Sequence, residues 1–318
     1  MSIAKETRFQ IRRLLLAAKI AKKWTDDSLQ LPLVEAHKNL YEIIHIAFWR
    51  KFRRFPNLIR PADYNDRIQW LKLFYQHPDI PRCSDKIEVR GYVAERVGGS
   101  LLTKLYATFD SAIQFDWVDL PESFVVKTNH DSGSVFLIKE KSRANLSEIK
   151  NCLRKALAKS HGYSNGEWGY LSIKPRVLVE EYIGTPTGKR PSDFKFHCVD
   201  GRVRWLQYIY DRGLQTKEII CDEFGCPIAD LLLHEKFLPG IHFSKPSRWN
   251  DLIAISEALA EGWKYVRVDL YCEGDRIIFG EMTFHPMAGL YEGKGQIELG
   301  RLMDFDLADH IPPNFCKR

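Results

Sequence analysis

The 318-residue sequence predicts an α+β fold. Three observations lead there. Hairpin-like pairs of alternating segments recur at 124–141, 193–210 and 265–289, amphipathic helical runs separate them, and the first 60 residues read as helix without strand.

In chain order, residues 8–24 form a helical pattern in which Phe9, Ile11, Leu15, Leu16 and Ile20 interleave with Arg8, Arg12, Arg13, Lys19, Lys22 and Lys23. A second helical run over 40–55 carries Trp49 and ends in Arg50, Lys51, Arg53 and Arg54. Helices are expected at 63–75 and 85–97, the latter stopped by Gly98 and Gly99. Short strands over 101–110 lead to the 124–141 hairpin, a helix at 145–161 and an aromatic, glycine-containing loop at 162–170. A strand at 175–183 ends in Glu180 and Glu181. The next hairpin turns at Asp200 and Gly201, with Asp193 and Lys195 on one side. A helix at 249–262 then leads into the last hairpin.

Composition narrows the function classes. With 45% hydrophobic and 28% charged residues the chain is an ordinary globular protein. It contains no apolar run of about 18 residues and no signal-peptide pattern, so a cytoplasmic protein is expected. Its seven cysteines include no CxxC pair and suit reduced thiols. The net charge of +6 is uneven: residues 1–60 hold 13 basic and 5 acidic residues, hence +8, leaving −2 for the rest. Two readings of that basic segment stand: peripheral contact with an anionic membrane through residues 8–55, or a helical cap with solvated charges, which its narrow apolar stripe favours. No motif supports nucleic-acid binding.

Chemistry concentrates in the last hairpin. Val266, Val268 and Leu270 point to one face of its first strand and Arg267 and Asp269 to the other; in the return strand Ile278 and Met282 alternate with Glu281 and Thr283. Bringing both polar faces together needs an odd loop or a bulge, which a turn glycine makes accessible. Two adjacent carboxylates want a cation between them, and hard oxygen donors suit Mg²⁺ completed by phosphate oxygens. A hairpin with one solvated face is the plain alternative. Upstream, Lys127 and the small turn Ser132, Gly133 and Ser134 could meet phosphate through a point charge and backbone N–H groups, although most such turns bind nothing.

The ordered segments VVKTNHDSGS, VLVEEYI, DFKFHCVDGRV, VRVDLY and FGEMTFHPMAG resemble the teichuronopeptide-biosynthesis (TupA-like) branch of the ATP-grasp superfamily over about residues 60–305. The resemblance implies an ATP-grasp fold, two α+β lobes clasping ATP, after an N-terminal helical extension. The implied division is 1–60 for that extension, 61–121 for an N-terminal α/β part, 122–185 for the lid lobe and 186–318 for the lobe with the metal site.

By the same resemblance, Lys127 contacts nucleotide phosphates, the Ser132, Gly133 and Ser134 turn closes over them, and Glu180, Glu181, Tyr182 and Ile183 hold adenine, largely through main-chain atoms. Lys195 lies near the terminal phosphate, Arg267 steadies the transferring phosphoryl group, and Asp269 and Glu281 hold Mg²⁺. Thr283 takes the place of a frequent asparagine ligand, and Asp131 stands in a turn that is poor in glycine. No residue matches the acid that usually holds ribose. The implied reaction is carboxylate–amine ligation through an acyl phosphate, with a uronic acid of a surface polysaccharide or capsule as acceptor and an amino acid or related amine as donor. A sugar phosphotransferase and a non-catalytic, membrane-apposed assembly protein are the alternatives; a glycosyltransferase lacks its DxD motif here. His130, His197 and His285 flank the motifs, with a structural role the simpler reading for each. Trp168 and Tyr170 are placed either to stack on a sugar ring or to pack.

Overall fold

A computed structural model describes residues 39–160, 162–184, 190–213 and 215–307. The helical pattern at 8–24 and Cys316 lie outside the described residues.

The chain opens with α1 (Leu40–Phe52), whose Leu40, Ile43, Ile44 and Phe48 are buried while its basic end bonds back onto the protein. Lys51 pairs with Glu292, and Arg54 donates to Asp63 and to Asp66, the latter at 2.9 Å. This part of the basic segment therefore packs as a cap. In α2 (Tyr64–Phe74), Asp63 is the N-cap, its Oδ1 accepting from the Asp66 backbone N–H at 2.8 Å. The expected helix at 85–97 is shorter. A turn of helix α3 (Ile80–Ser84) precedes it, and α4 (Val89–Val97) follows a turn over 86–88 in which Asp85 Oδ1 accepts from the N–H groups of Ile87 and Glu88. Gly98, at φ 85°, ends α4.

A four-stranded antiparallel sheet has the order β1 (Leu105–Phe109), β4 (Val177–Glu181), β2 (Phe124–Thr128) and β3 (Val135–Ile138). Its apolar face carries Phe124, Val126, Val177 and Val179, which α5 (Leu146–Leu157) covers with Ile149 and Leu153. Asn145 caps α5 by accepting from the Glu148 N–H at 3.1 Å.

The second sheet runs β10 (Arg276–Thr283), β9 (Tyr265–Glu273), β5 (Asp193–Val199), β6 (Arg202–Tyr210), β7 (Lys217–Asp222) and β8 (Leu238–Pro239). Only β7 and β8 pair in parallel. Asp200 (φ 47°) and Gly201 (φ 76°) make the expected tight β5–β6 turn. On one face Phe194, Phe196, Cys198, Val266, Val268 and Leu270 form the core, with α6 (Trp249–Ala260) packed on β5, β6 and β9. The other face carries Asp193, Lys195, His197, Arg267 and Asp269, all buried. The polar face is thus covered rather than solvated.

After β10, Met287, Ala288 and Gly289 have φ values of 47°, 54° and 62°. Consecutive left-handed residues persist only where contacts hold them. Here Gln69 donates to the carbonyls of Ala288 (2.9 Å) and Gly289 (2.8 Å), and buried Lys72 donates to the Ala288 carbonyl at 2.7 Å. Helix α7 (Gln296–Leu302) then packs on α2. No helix among the described residues is long and apolar enough to cross a membrane.

Candidate functional site

The two sheets line a cavity of about 610 Å³. Of the residues expected from sequence, Lys127, Gly133, Glu180, Glu181, Tyr182, Ile183, Lys195, Asp269 and Glu281 line it. Arg267 and Thr283 sit behind that wall, and Ser132 and Ser134 flank Gly133 on the turn.

A bulge assembles the carboxylate pair. Between β9 and β10 the register runs from Arg276 opposite Glu273 to Phe279 opposite Leu270, then resumes with Glu281 opposite Asp269 and Thr283 opposite Arg267. Gly280 is the extra residue. The expectation of a glycine-assisted bulge holds, but at Gly280 rather than at the turn, where Gly274 takes φ 57°. A Cβ at position 280 would meet the Asp269 carbonyl oxygen at 3.0 Å, a contact tight enough that the strands must shift by a few tenths of an ångström to admit a side chain.

Arg267 organises the pair. Its Nε donates to Asp269 Oδ1 at 2.6 Å, and its Nη2 donates to Asp269 Oδ2 (2.8 Å), Glu281 Oε1 (2.9 Å) and Thr283 Oγ1 (3.0 Å). Lys195 donates to Asp269 Oδ2 and lies 3.6 Å from Asp193 Oδ1. Burial pushes the Asp269 carboxyl upward, opposed by Arg267 and Lys195. Burial acts the same way on Glu281, but there Arg267, Lys195 and Lys86 prevail and hold its pKa at about 2. Glu281 is therefore ionised at neutral pH, with its side chain 40% exposed.

This donor set suits Mg²⁺. A carboxylate has about four lone-pair positions, and three around Asp269 are taken by protein cations. Glu281 meets Arg267 and the Thr283 hydroxyl through Oε1. The protein thus supplies few oxygens, as for an ion whose shell is mostly phosphate and water. The Thr283 hydroxyl accepts from Arg267 and donates to Glu281 Oε1 at 3.2 Å, so here it orients the carboxylate.

On the facing sheet Lys127 pairs with Glu180, which also accepts from Thr103 Oγ1 at 3.0 Å. Glu181 turns to Arg276 instead. In the turn after β2, the Asp131 carboxylate accepts from the hydroxyls of Thr128 and Ser134, so it points back into the turn. The N–H groups of Ser132, Gly133 and Ser134 donate to no protein acceptor among the described residues, leaving them for an anion.

Sequence reasoning missed four cations that line the cavity: Lys86, Arg90, Arg190 and Arg212. Lys86 donates to the Asp131 carbonyl, and burial pushes its pKa down. Arg212 donates through Nε to Asp193. Lys86 and Arg90 precede or start a helix and Arg212 follows a strand, so no periodic pattern points them at the site; the Asp85-Lys86 pair before a helical run was the available hint.

The three histidines are structural. His130 bonds the Lys159 carbonyl, His197 stacks on Trp205 at 3.3 Å and bonds the Tyr265 hydroxyl, and His285 packs by Trp168; none lines the cavity. Burial pushes His197 and His285 well below the usual imidazole range. Trp168 is buried and packs in the core.

A family model described as TupA-like ATPgrasp matches residues 66–303. No curated protein matches the chain. Similar solved structures include D-alanine–D-alanine ligase from Bacillus anthracis complexed with ATP, at 14% identity and a TM-score of 0.38 over 64% of this chain and 54% of that one. N5-carboxyaminoimidazole ribonucleotide synthetase with ADP has 12% identity and a TM-score of 0.43 over 78% and 57%. The ATP-grasp ligase PsnB with minimal precursor, Mg and ADP has 9% identity and a TM-score of 0.37 over 75% and 65%. The chain thus spans just over half to under two thirds of these proteins' lengths.

Proposed function

Because the chain belongs to the TupA-like ATP-grasp family, we propose that it is an ATP-dependent ligase that joins a carboxylate to an amine. The observation that carries this reading is the Asp269–Glu281 pair, held by Arg267 and Lys195 at one wall of a cavity whose other wall presents Lys127 and an N–H-rich turn. That is an arrangement for a polyphosphate.

In the proposed reaction a carboxylate oxygen of the acceptor attacks the γ-phosphorus of ATP and ADP leaves. The amine nitrogen then attacks the acyl-phosphate carbon, phosphate leaves, and the nitrogen loses a proton as the amide forms. No protein nucleophile is needed. Lys127, Lys86 and the 132–134 turn bind and orient phosphates, while Lys195 counters charge on the transferring group. Arg267 holds the Asp269 and Glu281 carboxylates in place and helps keep Glu281 ionised. Glu180 to Ile183 form the adenine end. Asp269 and Glu281 would hold Mg²⁺, which when bound neutralises phosphate charge. The proposed acceptor is a uronic acid of a bacterial surface polysaccharide or its precursor and the amine an amino acid. The proposed setting is cytoplasmic.

Melting the purified protein with Mg²⁺ and ATP tests the site: stabilisation absent in Glu281→Ala and Lys127→Ala is expected, and no shift in folded wild type would overturn it. Hydroxylamine with candidate uronic acids tests the chemistry. A hydroxamate with released phosphate supports ligation, whereas a stable phosphoester would identify a phosphotransferase.

A further inference from the structure

Asp131 poses a physical problem: a carboxylate in a turn that faces phosphates should repel them. The structure resolves it by giving that carboxylate other partners. Oδ1 accepts from the Thr128 hydroxyl at the end of β2, and Oδ2 accepts from the Ser134 hydroxyl just before β3. One side chain thus ties together both ends of the turn.

The base of the turn is fastened further. Lys86 donates from Nζ to the Asp131 carbonyl and from its backbone N–H to the Asn129 carbonyl at 3.2 Å. Asn129, fully buried, donates from Nδ2 to Asp85 Oδ2 (2.9 Å) and the Lys174 carbonyl (3.0 Å) and accepts from the Arg176 N–H (2.7 Å). Above this fixed base only Ser132 and Gly133 are exposed, Gly133 at φ 118° with open space where a Cβ would stand.

We propose that Asp131 is a positioning residue for the nucleotide phosphates: by accepting from Thr128 and Ser134 it holds the turn in the shape that aims the N–H groups of Ser132 to Ser134 into the cavity. The inference rests on the nucleotide reading above. A turn richer in glycine would pay a larger ordering entropy on meeting phosphate; this one is ordered beforehand by hydrogen bonds. The hydroxyls of Thr128 and Ser134 engage both carboxylate oxygens, and Lys86 offsets its charge.

The test is calorimetric titration of wild type, Asp131→Ala, Asp131→Asn, Ser134→Ala and the Asp131→Ala/Ser134→Ala double variant with Mg²⁺-ATP and with AMP. Loss of the two hydroxyl bonds should weaken Mg²⁺-ATP about tenfold in Asp131→Ala while AMP stays within about twofold. Asp131→Asn, which keeps one acceptor oxygen, should fall between. Ser134→Ala should lose part of the ATP affinity, and the double variant should bind no more weakly than Asp131→Ala. Mg²⁺-ATP binding to Asp131→Ala as tight as or tighter than wild type would overturn the proposal, and so would equal losses for ATP and AMP. Should Asp131→Ala fail to fold, Ser134→Ala decides: wild-type ATP affinity there overturns it. Wild type that binds neither nucleotide would instead overturn the ATP reading itself.

Discussion

Arg276 and Glu181 join the two sheets through a two-pronged ion pair, Nη1 to Oε1 at 2.8 Å and Nη2 to Oε2 at 2.9 Å. Arg276 begins β10 and Glu181 ends β4, so the contact ties the end of the four-stranded sheet to the edge of the six-stranded one. Glu181 also accepts from the Lys104 N–H at 3.2 Å. Its carboxylate is therefore engaged in holding the sheets together.

The pair is partly exposed, and such pairs contribute about 0–1 kcal/mol. Glu181→Gln should therefore lower unfolding free energy in urea by less than about 1 kcal/mol and change Mg²⁺-ATP affinity less than about threefold. Lys127→Met should remove measurable ATP binding in the same titration. Equal losses in the two variants would show that the Glu181 side chain holds nucleotide directly.

Deleting Gly280 should abolish the Mg²⁺-ATP thermal shift. Without the extra residue, Glu281 and Thr283 would turn to the side of the sheet where Val266, Val268 and Leu270 are fully buried. A slip of one residue exchanges the faces of the strand, and each displaced apolar side chain forfeits about 1.5–3 kcal/mol. Gly280→Ala is the milder probe. It should fold with reduced melting temperature, because its Cβ presses on the Asp269 carbonyl.

Arg267→Met should destabilise the protein by about 3–5 kcal/mol at pH 7, since it strands buried Asp269 beside Glu281 and removes the guanidinium bonded to both carboxylates. The Arg267→Met/Asp269→Asn double variant should be less destabilised than the sum of the singles. Urea unfolding of the four proteins measures that coupling, and strict additivity would mean that the guanidinium and carboxylate do not depend on each other.

His234 should make stability fall with acidity. Burial first, then Arg267, Lys195 and Arg212, push its pKa from 6.5 to about 4. As pH drops below 6.5 the unfolded chain takes up this proton and the folded one does not, so stability is full above 6.5 and is lost down to about pH 4. A shift of that size amounts to up to about 3 kcal/mol. His234→Gln should flatten the difference in urea stability between pH 7 and pH 4.5; an unchanged difference would assign the loss to other groups.

Much of the site was legible because strands write their faces in alternation. Arg267 with Asp269, and Glu281 with Thr283, could be grouped from period two alone, and so could Asp193 with Lys195. The need for a bulge was legible too. Its position was not, since both Gly274 and Gly280 satisfy the chemistry of a bend and only strand pairing chooses between them. Lys86, Arg90 and Arg212 were hidden for a related reason: each reaches the cavity from a helix or loop whose own pattern says nothing about a distant sheet. At the expected start of its helix, Asp85 bonds both its local backbone and Asn129, a tertiary partner 44 residues away that the local pattern does not announce.

By itself the sequence determined the α+β class, most strands and helices, the polar and apolar faces of β9, and the ordered motifs that mark the family, because local propensity and periodicity are written residue by residue. Tertiary structure alone decided that the polar face is buried, that Arg267 serves both carboxylates, that Glu181 turns to Arg276 and that Asp131 turns into its own loop. Those outcomes depend on which charges meet after burial, where an unpaired ion costs several kcal/mol and every neighbour helps choose its partner.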